Sequence, residues 1–339
     1  MIAGETLIEC MRERAWLSAD RKAYTFLKDG ESNEAYITYS QLDAQASKIA
    51  ALLQEHGCAG ERVLLVYPPG IAYIAAFMGC LYAGAIAVPV YPPRQNKSLG
   101  RIQAIVRNAK PTAALTETAI LQRMGGAKAQ LGSLQWLNTD ELDSLGGLSD
   151  GWKPQAASGD SLAFLQFTSG STGAPKGVML THRNLLSNLR LIHKQFAITP
   201  EDVAIGWLPP YHDMGLIGNL LTSFYSGIHM IFFSPMDFLQ RPVRWLQAIT
   251  TYKGTLSGGP NFAYQLCADK VTPEQAASLD LKSWRLAFVG AEPIRGRTLT
   301  CFQQAFQSRG FRRSSFYGCY GLAEAALFVT GGPCHWNRR

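Results

Sequence analysis

Short apolar runs alternate with helix-like segments along most of this 339-residue chain. Apolar runs predict strands at 63–66, 85–90, 162–167, 203–208, 229–233 and 286–289. Helices are predicted between them, for example over 184–196, 242–252 and 298–309. This alternation is typical of βαβ units, in which parallel strands form a sheet that helices cover on both faces. The hydrophobic content of 47% and charged content of 17% fit a globular chain, so we predict an α/β fold with mainly parallel sheets.

The stretch 71–90 carries no charge over twenty residues, which is long enough to span a bilayer. Gly79, Gly84 and Pro89 interrupt it, however, and a buried strand is predicted just before it. We therefore predict a buried helix that ends near Gly84, followed by a strand, and no membrane span.

The segment 168–177 places four hydroxyl side chains, three glycines and one lysine between two apolar runs. Glycines allow successive backbone N–H groups to converge on an anion, and Lys176 adds a mobile positive charge. The segment differs from the common P-loop, because Gly177 follows the lysine where that motif has Ser or Thr. A flexible Ser/Gly linker is the alternative, but the Pro-Lys-Gly ending and the flanking strands favour phosphate binding.

Composition limits the partners of the chain. The net charge is +7, but no run of Lys and Arg exceeds two residues, which argues against a nucleic-acid surface. A positive balance suits nucleotide phosphates, and it equally suits simple solubility. The seven cysteines are scattered and include no Cys-x-x-Cys pair, so we predict a reduced, cytoplasmic chain without a disulfide framework or zinc site.

Three further segments follow the loop: Leu-Pro-Pro-Tyr-His-Asp-Met-Gly at 208–215, Phe-Val-Gly-Ala-Glu-Pro at 288–293 and Phe-Tyr-Gly-Cys-Tyr-Gly-Leu-Ala-Glu at 316–324. Together with 168–177, they resemble the ordered signature motifs of the adenylate-forming superfamily. That superfamily includes acyl-CoA synthetases, luciferases and the adenylation domains of peptide synthetases.

The amino-acid sequence is similar to one branch, the fatty acyl-AMP ligases, at 211–216, 238–242, 258–264 and 320–324. The resemblance implies stacked αβ subdomains that interleave along residues 1–339, with a small distorted barrel. We expect only the N-terminal AMP-binding domain here, because the family's Thr-Gly-Asp motif and its mobile C-terminal domain, with a catalytic lysine, have no counterpart. The resemblance therefore predicts low activity for this chain by itself.

The resemblance also implies that the chain binds ATP and Mg²⁺. The phosphate-binding residues would be Thr168, Ser169, Gly170, Ser171, Thr172, Gly173 and Lys176. The other nucleotide-binding residues would be Gly290, Ala291, Glu292, Tyr320, Gly321 and Ala323. Among them, Tyr320 would pack on adenine and the turn at 290–292 would lie on the other face of the base. Thr168 and Glu324 would bind the metal, and His212 and Lys176 are the catalytic candidates.

Each of these roles has a plainer alternative. Tyr320 could be a core tyrosine, and Glu324 could complement the dipole of a helix predicted over 323–329. His212 could be a turn histidine paired with Asp213. Ala323 stands where many relatives have a threonine that contacts the α-phosphate, which removes one polar contact.

The resemblance places an acyl site at Met214, Phe224, Gly259 and Asn261. Apolar residues at helical spacing are usually core packing, so the acyl site rests on the resemblance and not on periodicity. The implied activity is ATP-dependent conversion of a medium- or long-chain fatty acid to its acyl-adenylate. The product would pass to an acyl carrier protein or a polyketide or peptide synthase module. The alternatives are a long-chain acyl-CoA ligase and a nucleotide- or acyl-binding module without turnover.

Overall fold

The computed structural model describes residues 4–93, 99–140, 142, 152–168 and 175–334. Its α-helices are α1 (Leu7–Leu17), α2 (Tyr39–Glu55), α3 (Ile71–Ala83), α4 (Gly100–Ala109), α5 (Thr118–Met124), α6 (His182–Gln195), α7 (Thr222–Ser226), α8 (Pro235–Gln240), α9 (Val243–Thr251), α10 (Asn261–Lys270), α11 (Pro273–Ala277) and α12 (Gly296–Phe306). Its strands are β1 (Lys22–Leu27), β2 (Glu34–Thr38), β3 (Arg62–Val66), β4 (Ile86–Pro89), β5 (Ala113–Thr116), β6 (Gln135–Asn138), β7 (Leu162–Thr168), β8 (Lys176–Thr181), β9 (Val203–Gly206), β10 (His229–Phe233), β11 (Leu256–Pro260), β12 (Leu286–Gly290), β13 (Phe316–Gly321) and β14 (Phe328–Pro333).

The chain folds into two compact units, and each is built from two separate stretches. The first unit comprises Met1–Asp20 and Thr38–Leu186, and the second comprises Arg21–Ile37 and Ser187–Arg339. The two units therefore interleave along the sequence.

The first unit contains a six-stranded sheet in the order β6-β5-β3-β4-β7-β8. Its strands pair in parallel except β7 and β8, which are antiparallel. The interior strands are apolar on both faces, as parallel strands covered by helices require. Helix α3 is buried, ends at Gly84 in a left-handed conformation (φ 71°), and leads directly into β4. The helix and strand predicted over 71–90 are confirmed.

The second unit contains an eight-stranded sheet in the order β14-β13-β12-β11-β9-β10-β1-β2. Neighbours from β13 to β1 are parallel, and β14 pairs antiparallel with β13. Its core is rich in aromatic rings, with Trp245, Trp284, Tyr264 and Phe302 fully buried in one cluster. Their ring centroids lie 5.1–6.2 Å apart in mostly edge-to-face contacts, a geometry that adds to the burial energy.

The predicted α/β class with mainly parallel sheets is confirmed, and the predicted strands correspond to β3, β4, β7, β9, β10 and β12. In the described part of the chain every strand belongs to one of the two sheets, and both sheets are open, with β14 and β2 or β6 and β8 at their edges. The described strands form these two sheets, and the small barrel that the resemblance implies stays a prediction. No helix of the described residues has the length and apolar character needed to cross a membrane.

Candidate active site

The phosphate-binding candidates lie where β7 ends and β8 begins in the first unit. The antiparallel register places Thr168 opposite Lys176, so the two ends of the loop are adjacent. Lys176 is exposed. Ser169, Gly170, Ser171, Thr172 and Gly173 lie outside the described residues.

A cavity of about 230 Å³ lies in the second unit. It brings together the predicted residues His212, Met214, Gly290, Ala291, Tyr320 and Gly321. Its apolar lining consists of Ile192, Phe196, Met214, Phe288, Leu327 and Phe328. One part is thus walled by backbone and a tyrosine, and the other by aliphatic and aromatic side chains. Such a mixture of apolar surface and a few polar groups is typical of small-molecule sites.

The backbone part of the cavity is formed where β12 ends. Ala291 follows the strand with φ 64°, a left-handed conformation that is costly for a residue with a Cβ. Ligands of open parallel sheets bind at the carboxyl ends of the strands, and this turn lies at such an end. Glu292 is exposed, and its carboxylate accepts a hydrogen bond from the Phe262 N–H at 2.6 Å, so it also anchors the start of α10.

The segment after β13 corrects a predicted element. The helix predicted over 323–329 is wrong: a single 3₁₀ turn covers Ala323–Ala325, and β14 begins at Phe328. Ala326 has φ 67°, and the Leu322 N–H donates to the Leu327 carbonyl at 2.9 Å, which reverses the chain. A Cβ on Gly321 would overlap that same carbonyl, so only glycine fits this reversal.

This turn bears on the alternative roles given above for Tyr320 and Glu324. Tyr320 is 60% exposed at the cavity, so it is not a core tyrosine. Glu324 is exposed within the 3₁₀ turn, and the longer helix whose dipole it would complement is not formed. Ala323 is buried and does not line the cavity.

His212 lies at the cavity and also pairs with Asp213. Its Nδ1 is 2.7 Å from Asp213 Oδ1, and the same carboxylate oxygen accepts from the Met214 N–H at 2.6 Å. The histidine side chain is about half exposed, at 52%. The aspartate therefore orients the ring and caps the helix that follows. His212 is thus a turn histidine paired with Asp213 and a cavity-lining residue at the same time.

That helix is a π-helix, Met214–Leu221, which runs directly into α7. Segments of π-helix are rare in proteins, and many of those known lie at functional sites. Gly215 sits under the His212 loop, and a Cβ there would overlap the carbonyl oxygen of Pro209.

We expect Gly215→Ala to destabilise the second unit by about 1–3 kcal/mol, the usual cost of overpacking, because backbone has to move. Thermal unfolding measures this. Gly332→Ala is the matched control, since its added Cβ meets nothing within 4 Å. Equal melting temperatures for the two variants would contradict the close contact at Pro209.

The predicted acyl residues are only partly brought together. Met214 lines the cavity, whereas Phe224 is buried against Tyr24, with ring centroids 6.4 Å apart. Gly259 and Asn261 do not line the cavity. The Asn261 side chain accepts from the Arg295 N–H at 2.9 Å and bonds Thr298 at 3.3 Å, so it joins the starts of α10 and α12.

Several lining residues were missed by sequence reasoning, chiefly Ile192, Phe196, Leu327 and Phe328. They lie in no motif, and no local signal separates them from ordinary core residues. A polar network holds Phe196 in place: Arg285 donates to the Phe196 and Ala197 carbonyls at 2.9 and 3.0 Å. Arg285 in turn donates to Asp202 at 2.8 Å.

Asp202 is buried within this network. Burial alone would raise the pKa of its carboxyl, but hydrogen bonds from Arg285, Thr255 and the Thr199 N–H outweigh burial and lower that pKa. Cys319 lines the cavity, and there the effect of burial prevails and raises the pKa of the thiol to about 12. The cavity therefore contains a neutral thiol near pH 7.

The donor groups of the described residues determine whether the site suits a magnesium ion. Within the described part of the chain, no group of three His, Cys, Asp or Glu side chains could hold a metal. Mg²⁺ needs only one or two carboxylates, with the rest of its shell supplied by water and phosphate. No hydrogen bond or ion pair involves the Glu324 carboxylate in the described ranges, so it suits that requirement.

The fold and the cavity define an α/β protein with a small-molecule cavity at the carboxyl ends of parallel strands. The model of the AMP-binding enzyme family matches residues 11–339, and the chain belongs to that family.

Known relatives are similar over nearly the whole chain. It is 42% identical over 332 residues to the medium-chain-fatty-acid–[acyl-carrier-protein] ligase JamA of Moorena producens, covering 96% of this chain and 56% of that protein. It is 36% identical to the ligase TtuA of Teredinibacter turnerae, which carries the same description, covering 97% and 57%. The chain thus spans little more than half the length of these relatives.

A crystal structure of the fatty acyl-adenylate ligase from L. pneumophila, in complex with acyl adenylate and pyrophosphate, superposes with a TM-score of 0.92. It is 47% identical, and the match covers 97% of this chain and 57% of that one. The relatives are named as ligases.

Proposed function

We propose that this chain carries the nucleotide and acyl sites of an enzyme that activates a fatty acid with ATP. The observation that carries the proposal is one cavity with a backbone-and-tyrosine part and an apolar part. An acyl-adenylate has the same division, with a purine nucleotide at one end and a hydrocarbon chain at the other. The L. pneumophila relative, crystallised with acyl adenylate and pyrophosphate, supports this assignment.

In the proposed reaction, a carboxylate oxygen of the fatty acid attacks the α-phosphorus of ATP. A new P–O bond forms, the bond to the β-phosphate oxygen breaks, and pyrophosphate leaves with that electron pair. Tyr320 and the turn at Gly290 and Ala291 would hold adenine. His212 would lie beside the reacting carboxylate and α-phosphate, and Lys176 would neutralise the β- and γ-phosphates. Positioning and charge stabilisation supply most of the catalysis in such transfers.

Glu324 and Thr168 would hold Mg²⁺, whose bound charge offsets that of the triphosphate. Both offer hard oxygen donors. Glu324 is exposed at the cavity end of β13 and is therefore accessible to a hydrated ion.

The acyl-adenylate would pass to the phosphopantetheine thiol of an acyl carrier protein or of a polyketide or peptide synthase module. The descriptions of JamA and TtuA as acyl-carrier-protein ligases support this acceptor. All seven cysteines are free, which supports a reducing compartment such as the cytoplasm.

Fatty-acid-dependent exchange of labelled pyrophosphate into ATP tests the proposal. We expect exchange with medium- and long-chain acids, at the low rate predicted above for this chain by itself, and none without acid. Nucleotide binding without any exchange would indicate a binding module without turnover. Adding coenzyme A or a holo acyl carrier protein then identifies the acceptor.

Lys176→Ala should weaken ATP binding by about 1.5–3 kcal/mol, because a charged hydrogen bond to phosphate is lost. AMP binding should change much less, since the lysine is assigned to the β- and γ-phosphates. Titration calorimetry compares the two nucleotides, with Lys270→Ala as an exposed control. Unchanged ATP affinity would contradict the phosphate-loop assignment.

Glu324→Gln keeps the shape of the side chain and removes its charge. We expect it to weaken ATP binding in the presence of Mg²⁺ more than in its absence, because only the metal needs the carboxylate. Glu201→Gln, also on an exposed residue, is the control. Equal weakening under both conditions would show that Glu324 does not bind the metal.

A further inference from the structure

A second, smaller cavity of about 20 Å³ lies behind the first one in the same unit. Phe196, Gly218 and Phe288 line both cavities, so they form a dividing wall only one residue thick. The two phenylalanine rings stack with centroids 6.0 Å apart and planes 17° from parallel. We call the larger space the front cavity and the smaller one the rear cavity.

On the front side, the wall leaves room where Gly218 lacks a side chain. A Cβ there would lie 3.0 Å from Leu327 Cδ2 and 3.9 Å from Met214 Cγ, and both of these residues line the front cavity. The missing methyl group of Gly218 therefore enlarges the apolar part of the front cavity.

On the rear side, the wall faces polar groups. Asn219, Thr222 and Ser223 line the rear cavity. The Thr222 hydroxyl donates to the Ile217 carbonyl at 2.7 Å, and the Ser223 hydroxyl to Met230 Sδ at 3.6 Å. Asn219 is 6% exposed, and its side-chain amide forms no hydrogen bond with the described residues. A space of this size holds about one water molecule, which can serve as the missing partner.

We propose that the dividing wall is the end of the acyl-chain site, and that Asn219 makes this end selective against a longer hydrocarbon chain. The inference rests on the proposed function. A methyl end that passes the wall would displace the hydrogen-bonding partner of a buried amide and offer none in return, which is unfavourable. A terminal hydroxyl would replace that partner. Asn219 is thus a specificity-determining residue for chain length and for the polarity of the chain end.

The test uses acyl-sulfamoyl adenosines of increasing chain length, which mimic the adenylate without its labile anhydride. In the wild-type chain, calorimetry should show the Kd falling up to about fourfold per added methylene, until a break length beyond which affinity no longer improves. Gly218→Ala should move the break at least one methylene shorter, and Asn219→Ala at least one methylene longer. Ser226→Ala, a buried residue that lines neither cavity, is the control and should keep the wild-type break. AMP affinity should stay within about twofold in all variants, because the adenine side of the cavity is untouched.

A second measurement needs no variant. On chains shorter than the break, a terminal hydroxyl should weaken binding, whereas one methylene past the break it should bind tighter than the methyl-ended chain. An identical break in every variant, or a hydroxyl penalty that is the same at all lengths, would overturn the inference. If the wild-type chain binds nucleotide but its Kd for the acyl-sulfamoyl adenosines does not depend on chain length, the proposed function is overturned, and this inference with it.

Discussion

Lowering the pH from 7 to 4 should destabilise the first unit through the buried imidazole of His182. This side chain is 2% exposed, and its Nδ1 accepts a hydrogen bond from the Leu7 N–H at 3.3 Å. Burial lowers its pKa to about 4, although the nearby Glu9 acts in the opposite direction. The folded protein therefore keeps this histidine neutral well below the pKa of an exposed imidazole.

The direction of the effect follows from proton binding. The unfolded chain takes up a proton on His182 near pH 6.5, whereas the folded chain does so only near pH 4. Between these values the unfolded state binds more protons, so stability falls as the pH falls. The stability is fully present above about pH 6.5, and a pKa difference of this size corresponds to a loss of about 3 kcal/mol once the pH is below 4.

Thermal unfolding measured from pH 7.5 to 4 checks this expectation. His182→Gln should be less stable at neutral pH and should show a shallower decline. His56→Gln alters an exposed histidine and should follow the wild-type curve. His229 is a second contributor, in the second unit, with its pKa lowered to about 4 chiefly by burial, so some pH dependence should remain in His182→Gln. Parallel curves for wild type and His182→Gln would contradict the neutral buried state.

Asp202→Ala should cost about 3 kcal/mol of stability in the second unit. The carboxylate is buried, and it accepts hydrogen bonds from the Arg285 guanidinium, the Thr199 N–H and the Thr255 hydroxyl. Its loss would remove this acceptor from all three donors. Breaking a buried pair by removing one partner costs about 3–5 kcal/mol, and we take the low end because Arg285 is 32% exposed.

The same variant should affect ligand binding, because Arg285 also holds the backbone of Phe196 at the cavity. We expect weaker binding of a long-chain acyl-sulfamoyl adenosine and a smaller change for AMP, since Phe196 lies in the apolar part. Asp160→Asn removes an ion pair to Arg183 in which both side chains are exposed, so it should change stability little. Equal stability of the two variants would contradict the structural role of Asp202.

Much of the fold could be predicted from the sequence, because strand and helix patterns depend on local periodicity. In the uncharged stretch 71–90, the predicted boundary between helix and strand lies at Gly84, and the left-handed conformation of this residue does end the helix. The motifs at 288–293 and 316–324 contributed Gly290, Ala291, Tyr320 and Gly321 to one cavity, since neighbouring parallel strands bring their carboxyl ends together.

Local patterns failed where contacts distant in sequence decided the conformation. The run 323–329 has helix-forming residues, but the pairing of β14 with β13 and the reversal at Ala326 prevent a helix. Asn261 belongs to a motif, yet its amide is occupied at Arg295 and Thr298, which only folding brings near.

The sequence by itself determined the α/β class, six of the fourteen described strands and much of the polar part of the cavity, because these depend on periodicity and on glycine-rich motifs. Only the tertiary structure decided the apolar half. Phe196 directly follows α6, Gly218 lies in the π-helix and Phe288 lies in β12. They form the dividing wall because these three segments pack together. A cavity is the space left by such packing, and that space depends on distances that no single segment encodes.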